Sequence, residues 1–137
     1  MDDIQGAILR VKLRYLDQWN ESRRRIAERY RQGLAGLPIV CPEGCVSQGH
    51  VYHLFVVRVK NRDSFRKRLF KNGVETLTHY SNPIPSHRAY REYKSSLKDL
   101  SWTVRVSKEI VSLPIYPEMR NQEVDHVIAA CHRAAKN

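Results

Sequence analysis

A chain of 137 residues with 24 Lys and Arg against 14 Asp and Glu carries a formal net charge of +10. It is long enough for one domain that buries roughly two-thirds of its unfolded surface. A hydrophobic share of 42% excludes a disordered polymer, and no apolar run approaches the roughly 18 residues that a membrane-spanning helix needs. The charge admits nucleic acid, acidic partners or phosphate-bearing ligands and does not choose among them. Met1-Asp2-Asp3 is acidic and leads into no signal-peptide pattern. Three cysteines, an odd number without disulfide spacing, fit a reducing cytoplasm.

In chain order, Ile4, Ala7, Ile8, Val11, Tyr15, Trp19, Ile26 and Tyr30 recur at helical spacing and predict one long helix over residues 2–32, with room for a kink. Asp2 and Asp3 suit the positive end of its dipole. Gly33 is the expected stop, and Gly36 and Pro38 oppose a return to helix. A loop over residues 38–49 leads to a strand over 51–59, apolar on both faces and so expected to be covered on both. Asn61-Arg62-Asp63 opens a short helix with Phe65 and Leu69 inward, closed by Asn72-Gly73. Val74 to Thr78 reads as a second strand entering a His79-Tyr80 turn. Pro83 and Pro85 keep Ser81 to Tyr93 irregular. A helix over 103–111 is expected next, then an extended segment bracketed by Pro114 and Pro117. Val124, Val127, Ile128 and Cys131 then predict an amphipathic terminal helix. This order predicts a small α+β layer fold in a single domain, residues 1–137.

Few groups have the spacing of a reactive site. Cys41, Cys45, His50 and His53 suggest zinc ligands, but only four residues separate the two pairs and His53 sits in an apolar strand. A free-thiol loop followed by a strand is the better reading, with no metal. Arg10, Lys12, Arg14, Arg23, Arg24, Arg25, Arg29 and Arg31 make the first helix basic, yet Asp17, Glu21 and Glu28 interleave. No nucleic-acid-binding motif accompanies that charge, so a solvated face is preferred to a nucleic-acid surface. There is no nucleophile elbow, phosphate-cradling glycine loop or identifiable carboxylate pair. His79 and Tyr80 differ, because they end a strand and enter a proline-restrained loop, a rigid edge suited to a functional group. From the pattern alone, a structural role and a binding role both fit them.

Four blocks, in order, carry more: Ile4-Gln5-Gly6-Ala7-Ile8-Leu9, His50 to Val57, His79-Tyr80-Ser81-Asn82-Pro83-Ile84, and Ser112-Leu113-Pro114-Ile115-Tyr116-Pro117. Together they resemble the C-terminal small domain of the DegT/DnrJ-type (StrS-like) nucleotide-sugar aminotransferases, which depend on pyridoxal phosphate. The resemblance implies a long N-terminal helix plus a small, mainly antiparallel sheet packed with helices, as in fold-type I aminotransferases. In that family an amino group passes, usually from glutamate, to a keto sugar on a nucleotide diphosphate. The cofactor sits on a lysine of a large domain that this chain lacks. The Asn-x-Arg that precedes the family's first helix would stand upstream of Met1. No lysine here, Lys12, Lys60, Lys67, Lys71, Lys94, Lys98, Lys108 or Lys136, falls in a cofactor-lysine motif.

The resemblance therefore implies no catalytic residue, no pyridoxal phosphate bound by this chain alone, and no activity by itself. It implies substrate-facing roles for His79, Tyr80, Asn82 and His87. The apolar face of the first helix, through Ile4, Ile8, Val11 and Tyr15, is expected to meet a second copy or a separately encoded large domain. Half of a split enzyme, a dimerising module and, last, a basic nucleic-acid-binding domain are the other readings. The chain also departs from the family. Ser81 stands where proline is frequent, and Pro85 where the loop has a second histidine. Ser101-Trp102-Thr103-Val104 replaces Pro-Val-Ala-Glu, and Arg120 is a poor helix cap.

Overall fold

A computed structural model describes residues 2–43, 49–90, 92 and 100–136. Its helices are α1 (Asp3–Leu13), α2 (Leu16–Gly33), α3 (Arg62–Lys71), α4 (Ser101–Glu109) and α5 (Asn121–Ala135). Its strands are β1 (Phe55–Arg58) and β2 (Ile110–Leu113), and a 3-10 turn spans Ile84–Ser86. The expected α+β class is what forms.

The single long helix divides at Arg14-Tyr15. There the bonding tightens to i, i−3, with Arg14 N–H to Val11 O at 3.3 Å and Tyr15 N–H to Lys12 O at 3.0 Å. Tyr15 then stacks on Trp19, ring centroids 6.1 Å apart, at the start of α2. The two halves have opposite fates. α1 buries no residue, whereas α2 buries Ile26, Ala27 and Tyr30.

β1 and β2 pair antiparallel in the register Phe55 with Leu113 through Arg58 with Ile110. Single bridges from Val40 to Arg58 and from Leu77 to Ser112 widen this ribbon on both sides. The strand expected over 51–59 shortens because Tyr52 takes φ of +50°. Its N–H donates to His50 Nδ1 at 3.0 Å, turning the chain before Phe55. Nor is the strand covered equally on both sides, since Phe55 and Val57 are buried and Val56 and Arg58 half-buried. The strand expected at Val74 to Thr78 reduces to the Leu77 bridge. Arg66 draws off its neighbour, donating from Nε to Thr76 Oγ1 at 3.1 Å and from Nη2 to Thr76 O at 2.9 Å.

The helix expected over 103–111 stops at Glu109, and Ile110 and Val111 enter β2. Both are β-branched, and Val111 is fully buried opposite Val57. Arg120 proves no handicap to α5. The Glu123 carboxylate reaches back to accept the Arg120 N–H at 2.7 Å, which is the glutamate half of a capping box.

The core lies between the buried sheet face and helices α2, α3 and α5, with Tyr30, Leu34, Phe55, Leu69, Val124 and Cys131 fully buried. The Tyr30 ring lies tilted against Phe55, centroids 5.1 Å apart, and its hydroxyl donates to Pro114 O at 2.8 Å. Burial raises its pKa far above the ordinary tyrosine value. α5 is stapled to the ends of two helices. His132 Nε2 lies 2.8 Å from Gly33 O, and His126 Nε2 lies 3.0 Å from Asn72 O. Arg29 adds a bond to Asn121 Oδ1 at 2.7 Å and an ion pair with Asp125.

Candidate functional site

The sheet's alternation sets the site. Odd-numbered Phe55, Val57, Val111 and Leu113 face the core, so even-numbered Val56, Arg58, Ile110 and Ser112 occupy the opposite face. Ser112 is the uncharged polar residue in this row and is buried. A buried hydroxyl in a strand needs a partner, and His79 provides it, with Nδ1 and Ser112 Oγ 2.8 Å apart. Backbone bonds fix the approach. Ser112 N–H donates to Leu77 O at 2.8 Å, and Leu77 N–H donates to Ser112 O at 3.3 Å. The half-buried imidazole is thus anchored through Nδ1, and Nε2 makes no hydrogen bond among the described residues.

Tyr80, next in sequence, is 89% exposed and has φ of +58°. A tyrosine in the left-handed region is strained by about 1–3 kcal/mol, and here no burial of the ring offsets it. The backbone throws the phenol clear of the surface beside the anchored imidazole.

Asn82 and His87 close the loop that follows. His87 Nε2 lies 3.3 Å from Asn82 O, and His87 N–H donates to Ile84 O at 3.1 Å. Ser86 Oγ donates to Pro83 O at 2.6 Å. These bonds hold the 3-10 turn together. The imidazole of His87 serves the loop's own backbone, and the Asn82 side chain stays exposed. The structure joins His79 to Ser112 and Asn82 to His87, as two separate pairs along one loop.

An open groove of about 1320 Å³ runs from His79, Leu77 and Ser112 past Leu54 and Ile115 to the exposed side of α3. His79 is the residue of the four expected site residues that lines it. Lys67 and Lys71 also border it, but both are exposed. A cofactor aldehyde needs an enclosed, desolvated lysine and an acid for its ring nitrogen. These residues do not fit pyridoxal phosphate.

Sequence reasoning gave no site role to Ser112 or Arg66, whose partners lie 33 and 10 residues away. It treated Trp102 as a departure only. In the fold the ring is 59% exposed, with the Arg58 guanidinium 4.8 Å and that of Arg105 5.6 Å from its centre. Glu109 holds both arginines, at 2.9 Å and 3.0 Å. Those hydrogen bonds, Arg58 first, keep its carboxyl below the ordinary range.

The cysteine-histidine set does not assemble among the described residues. His50 is committed to Tyr52, Cys45 lies outside the described residues, and Cys41 is half-buried with its thiol pKa raised by burial. Burial pushes the Cys131 thiol up to about 12, which keeps it protonated and inert. Among the described residues no group of three His, Cys, Asp or Glu could hold a metal ion. No described helix is long and apolar enough to cross a membrane.

Comparison with known proteins agrees with this architecture. The chain is 42% identical over 135 residues to dTDP-3-amino-3,6-dideoxy-alpha-D-galactopyranose transaminase of Aneurinibacillus thermoaerophilus, covering 97% of this chain and 36% of that protein. It is 36% identical to dTDP-3-amino-3,4,6-trideoxy-alpha-D-glucose transaminase of Streptomyces venezuelae, covering 99% of this chain and 36% of the relative. Among solved structures, S. venezuelae DesV in complex with a ketimine intermediate superposes with a TM-score of 0.90 at 36% identity, over 100% of this chain and 37% of that one. NtdA of Bacillus subtilis, solved with bound cofactor PMP, gives 0.87 at 28% identity, over 100% and 33%. The chain thus spans about a third of the length of the relatives it matches. With residues 1–132 matched as well to the family as a whole, the chain belongs to the DegT/DnrJ/EryC1/StrS aminotransferase family.

Proposed function

We propose that these 137 residues are one small-domain unit of a sugar-nucleotide aminotransferase, without catalytic activity alone. Within it, His79 and Tyr80 face the substrate, and Asn82 and His87 shape the loop beside them. The observation that carries this reading is His79, whose imidazole is pinned to Ser112 at 2.8 Å beside a strained, outward-facing Tyr80. A pinned ring loses little freedom on binding, and Nε2 and the phenol are both suited to sugar hydroxyls or phosphate oxygens. Amino transfer to a keto sugar on a nucleotide diphosphate, with pyridoxal phosphate as cofactor, belongs to the assembled enzyme. The lysine that holds the cofactor would come from the part of the relatives this chain does not span.

α1 supports the need for assembly. It buries nothing and exposes Ile4, Ile8, Leu9, Val11 and Leu13 by half or more. A contiguous stripe of some 500 Å² of apolar surface left in water forgoes about 12 kcal/mol of burial, comparable to the whole stability of a domain. A large domain or a second copy of the chain covers that stripe, in the cytoplasm, where the free thiols stay reduced.

A chimaera tests the proposal by joining this chain to the preceding portion of the S. venezuelae relative. The chimaera is expected to hold borohydride-reducible pyridoxal phosphate and to transaminate a sugar nucleotide, and the isolated chain to do neither. Tyr80→Gly should cut kcat/KM in the chimaera without lowering its melting temperature, because glycine accepts the same backbone. A stoichiometric cofactor adduct on a lysine of the isolated chain would refute the inactive reading. Full activity of the His79→Ala chimaera would refute the site.

A further inference from the structure

The bond between His79 and Ser112 has a direction, and the surroundings decide it. Leu77 and Ser112 exchange both backbone hydrogen bonds, at 2.8 Å and 3.3 Å. His79, two residues past Leu77, is then the diagonal neighbour of Ser112, within reach of a ring side chain. Nδ1 and Oγ meet at 2.8 Å. Two arrangements satisfy that distance. Either the hydroxyl donates to a bare Nδ1 and the ring's proton sits on Nε2, or Nδ1–H donates to the hydroxyl and Nε2 is bare.

The two differ in what they leave unmet. Among the described residues His79 is the partner of the Ser112 hydroxyl. In the second arrangement the O–H proton of Ser112 has no acceptor. Thr78 Oγ1, beside His79 in the chain, does not take it, being itself buried without a partner. Ser112 borders the groove, but at 5% exposure it has little room for a water besides the imidazole. An unmet buried donor is costly. The first arrangement leaves over only Nε2–H. Among the described residues the buried side-chain nitrogens and oxygens without a partner are Arg23 Nε, Arg68 Nε and Thr78 Oγ1. Nε2 is not one of them, so it opens on the groove that His79 lines, where water or a ligand meets it.

We propose that Ser112 is a positioning residue that holds the His79 imidazole in its Nε2–H form, so that the ring offers the substrate a hydrogen-bond donor and not a base. The inference rests on the reading that His79 faces the substrate, and it adds which way the proton points. Nε2–H takes an oxygen lone pair and gives nothing to an ammonium group, which has none. His79 then orients an oxygen of the substrate and removes no proton from it. The Leu77 bridge, the buried hydroxyl and the 2.8 Å contact fix the proton's place before a ligand arrives.

The test is nitrogen NMR of the 137-residue chain with isotope-labelled histidine at about pH 9, where ordinary imidazoles are neutral. The His79 signals are assigned by their loss in His79→Gln. They should show the proton on Nε2 alone, with Nδ1 as the acceptor. Ser112→Ala should give the tautomer mixture of an unheld imidazole. Ser112→Thr, which keeps the hydroxyl on a residue suited to a strand, should restore the single form. A proton on Nδ1 in the unaltered chain overturns the proposal, as does a Ser112→Ala spectrum identical to it. In the chimaera, Ser112→Ala should lower kcat/KM about five-fold, and Ser112→Thr should recover it. A fully active Ser112→Ala chimaera beside an impaired His79→Ala one would overturn the positioning role and leave the aminotransferase reading standing. The tautomer is read in the isolated chain, so it stands or falls apart from that reading.

Discussion

Gly33→Ala sets two opposing effects against each other, and the structure decides the sign. Alanine in a helix is favoured over glycine by about 1 kcal/mol, so propensity alone predicts stabilisation. A Cβ on Gly33 would stand 2.7 Å from Ile128 Cδ1, 2.9 Å from Cγ2 and 3.1 Å from Cγ1. Turning χ2 moves Cδ1 aside but leaves Cγ2, which is bonded to Cβ. Relief therefore requires χ1 of a β-branched residue inside α5, where one rotamer dominates. The alternative is to separate α2 from α5, which also strains the bond from His132 to Gly33 O. Overpacking of this kind costs about 1–3 kcal/mol. The net expectation is a loss of about 1 kcal/mol and a melting temperature lower by about 4 °C for a chain of this size. Thermal and urea unfolding measure it. In a double-mutant cycle with Ile128→Ala, the Gly33→Ala penalty should vanish, a coupling of about 1 kcal/mol or more. A melting temperature raised by Gly33→Ala would refute the close-approach argument.

Other expectations follow from single contacts. His132→Ala removes the bond to Gly33 O and should cost about 1 kcal/mol, read by urea unfolding. His126→Ala should cost less, because that ring is exposed. Glu109 and Glu123 have folded pKa values lowered from 4.5 by their arginine bonds. Their stabilisation is complete above the unfolded value and disappears as pH falls through the lowered folded value. The melting temperature should therefore drop on acidification below about pH 4.5, and Glu109→Gln should flatten that slope. Ser112→Ala should leave the fold intact at a cost of about 1 kcal/mol and should broaden the His79 side-chain NMR signals as the ring loses its anchor.

What the sequence disclosed depended on the range of the interaction concerned. α3 and α5 were legible because Phe65 with Leu69, and Val124 with Val127 and Cys131, repeat at the helical period within one or two turns. The terminus of α3 at Asn72-Gly73 was equally local, and Gly73 does adopt φ of +77°. The strands were harder. Ile110-Val111 extends an apolar helical pattern and becomes strand only because β1 is there to pair with it. Val74 to Thr78 has strand composition, but Arg66 on another element takes the Thr76 carbonyl that a longer ladder would use. The left-handed Tyr52 rests on a histidine ring two residues earlier, a contact that composition does not reveal. The site divides in the same way. A rigid loop carrying His79 and Tyr80 was visible from its prolines, whereas the partner that gives His79 its orientation lies 33 residues downstream.

The two-residue period of the sheet links the core to the anchor of His79 in this small fold. One row of side chains, Phe55, Val57, Val111 and Leu113, faces the helices and forms the core. The other row starts at Ser112, which fixes His79, and ends at Arg58, which lies over Trp102. A register slip of one residue would exchange these rows, burying Arg58 and exposing Phe55 while separating Ser112 from His79. The same hydrophobic burial that selects the register therefore also places the imidazole. Tyr80 has no such tie, since its ring is exposed and its backbone strained. Folding alone would be better served by glycine there. The substrate-facing role proposed for Tyr80 would account for a tyrosine at that point.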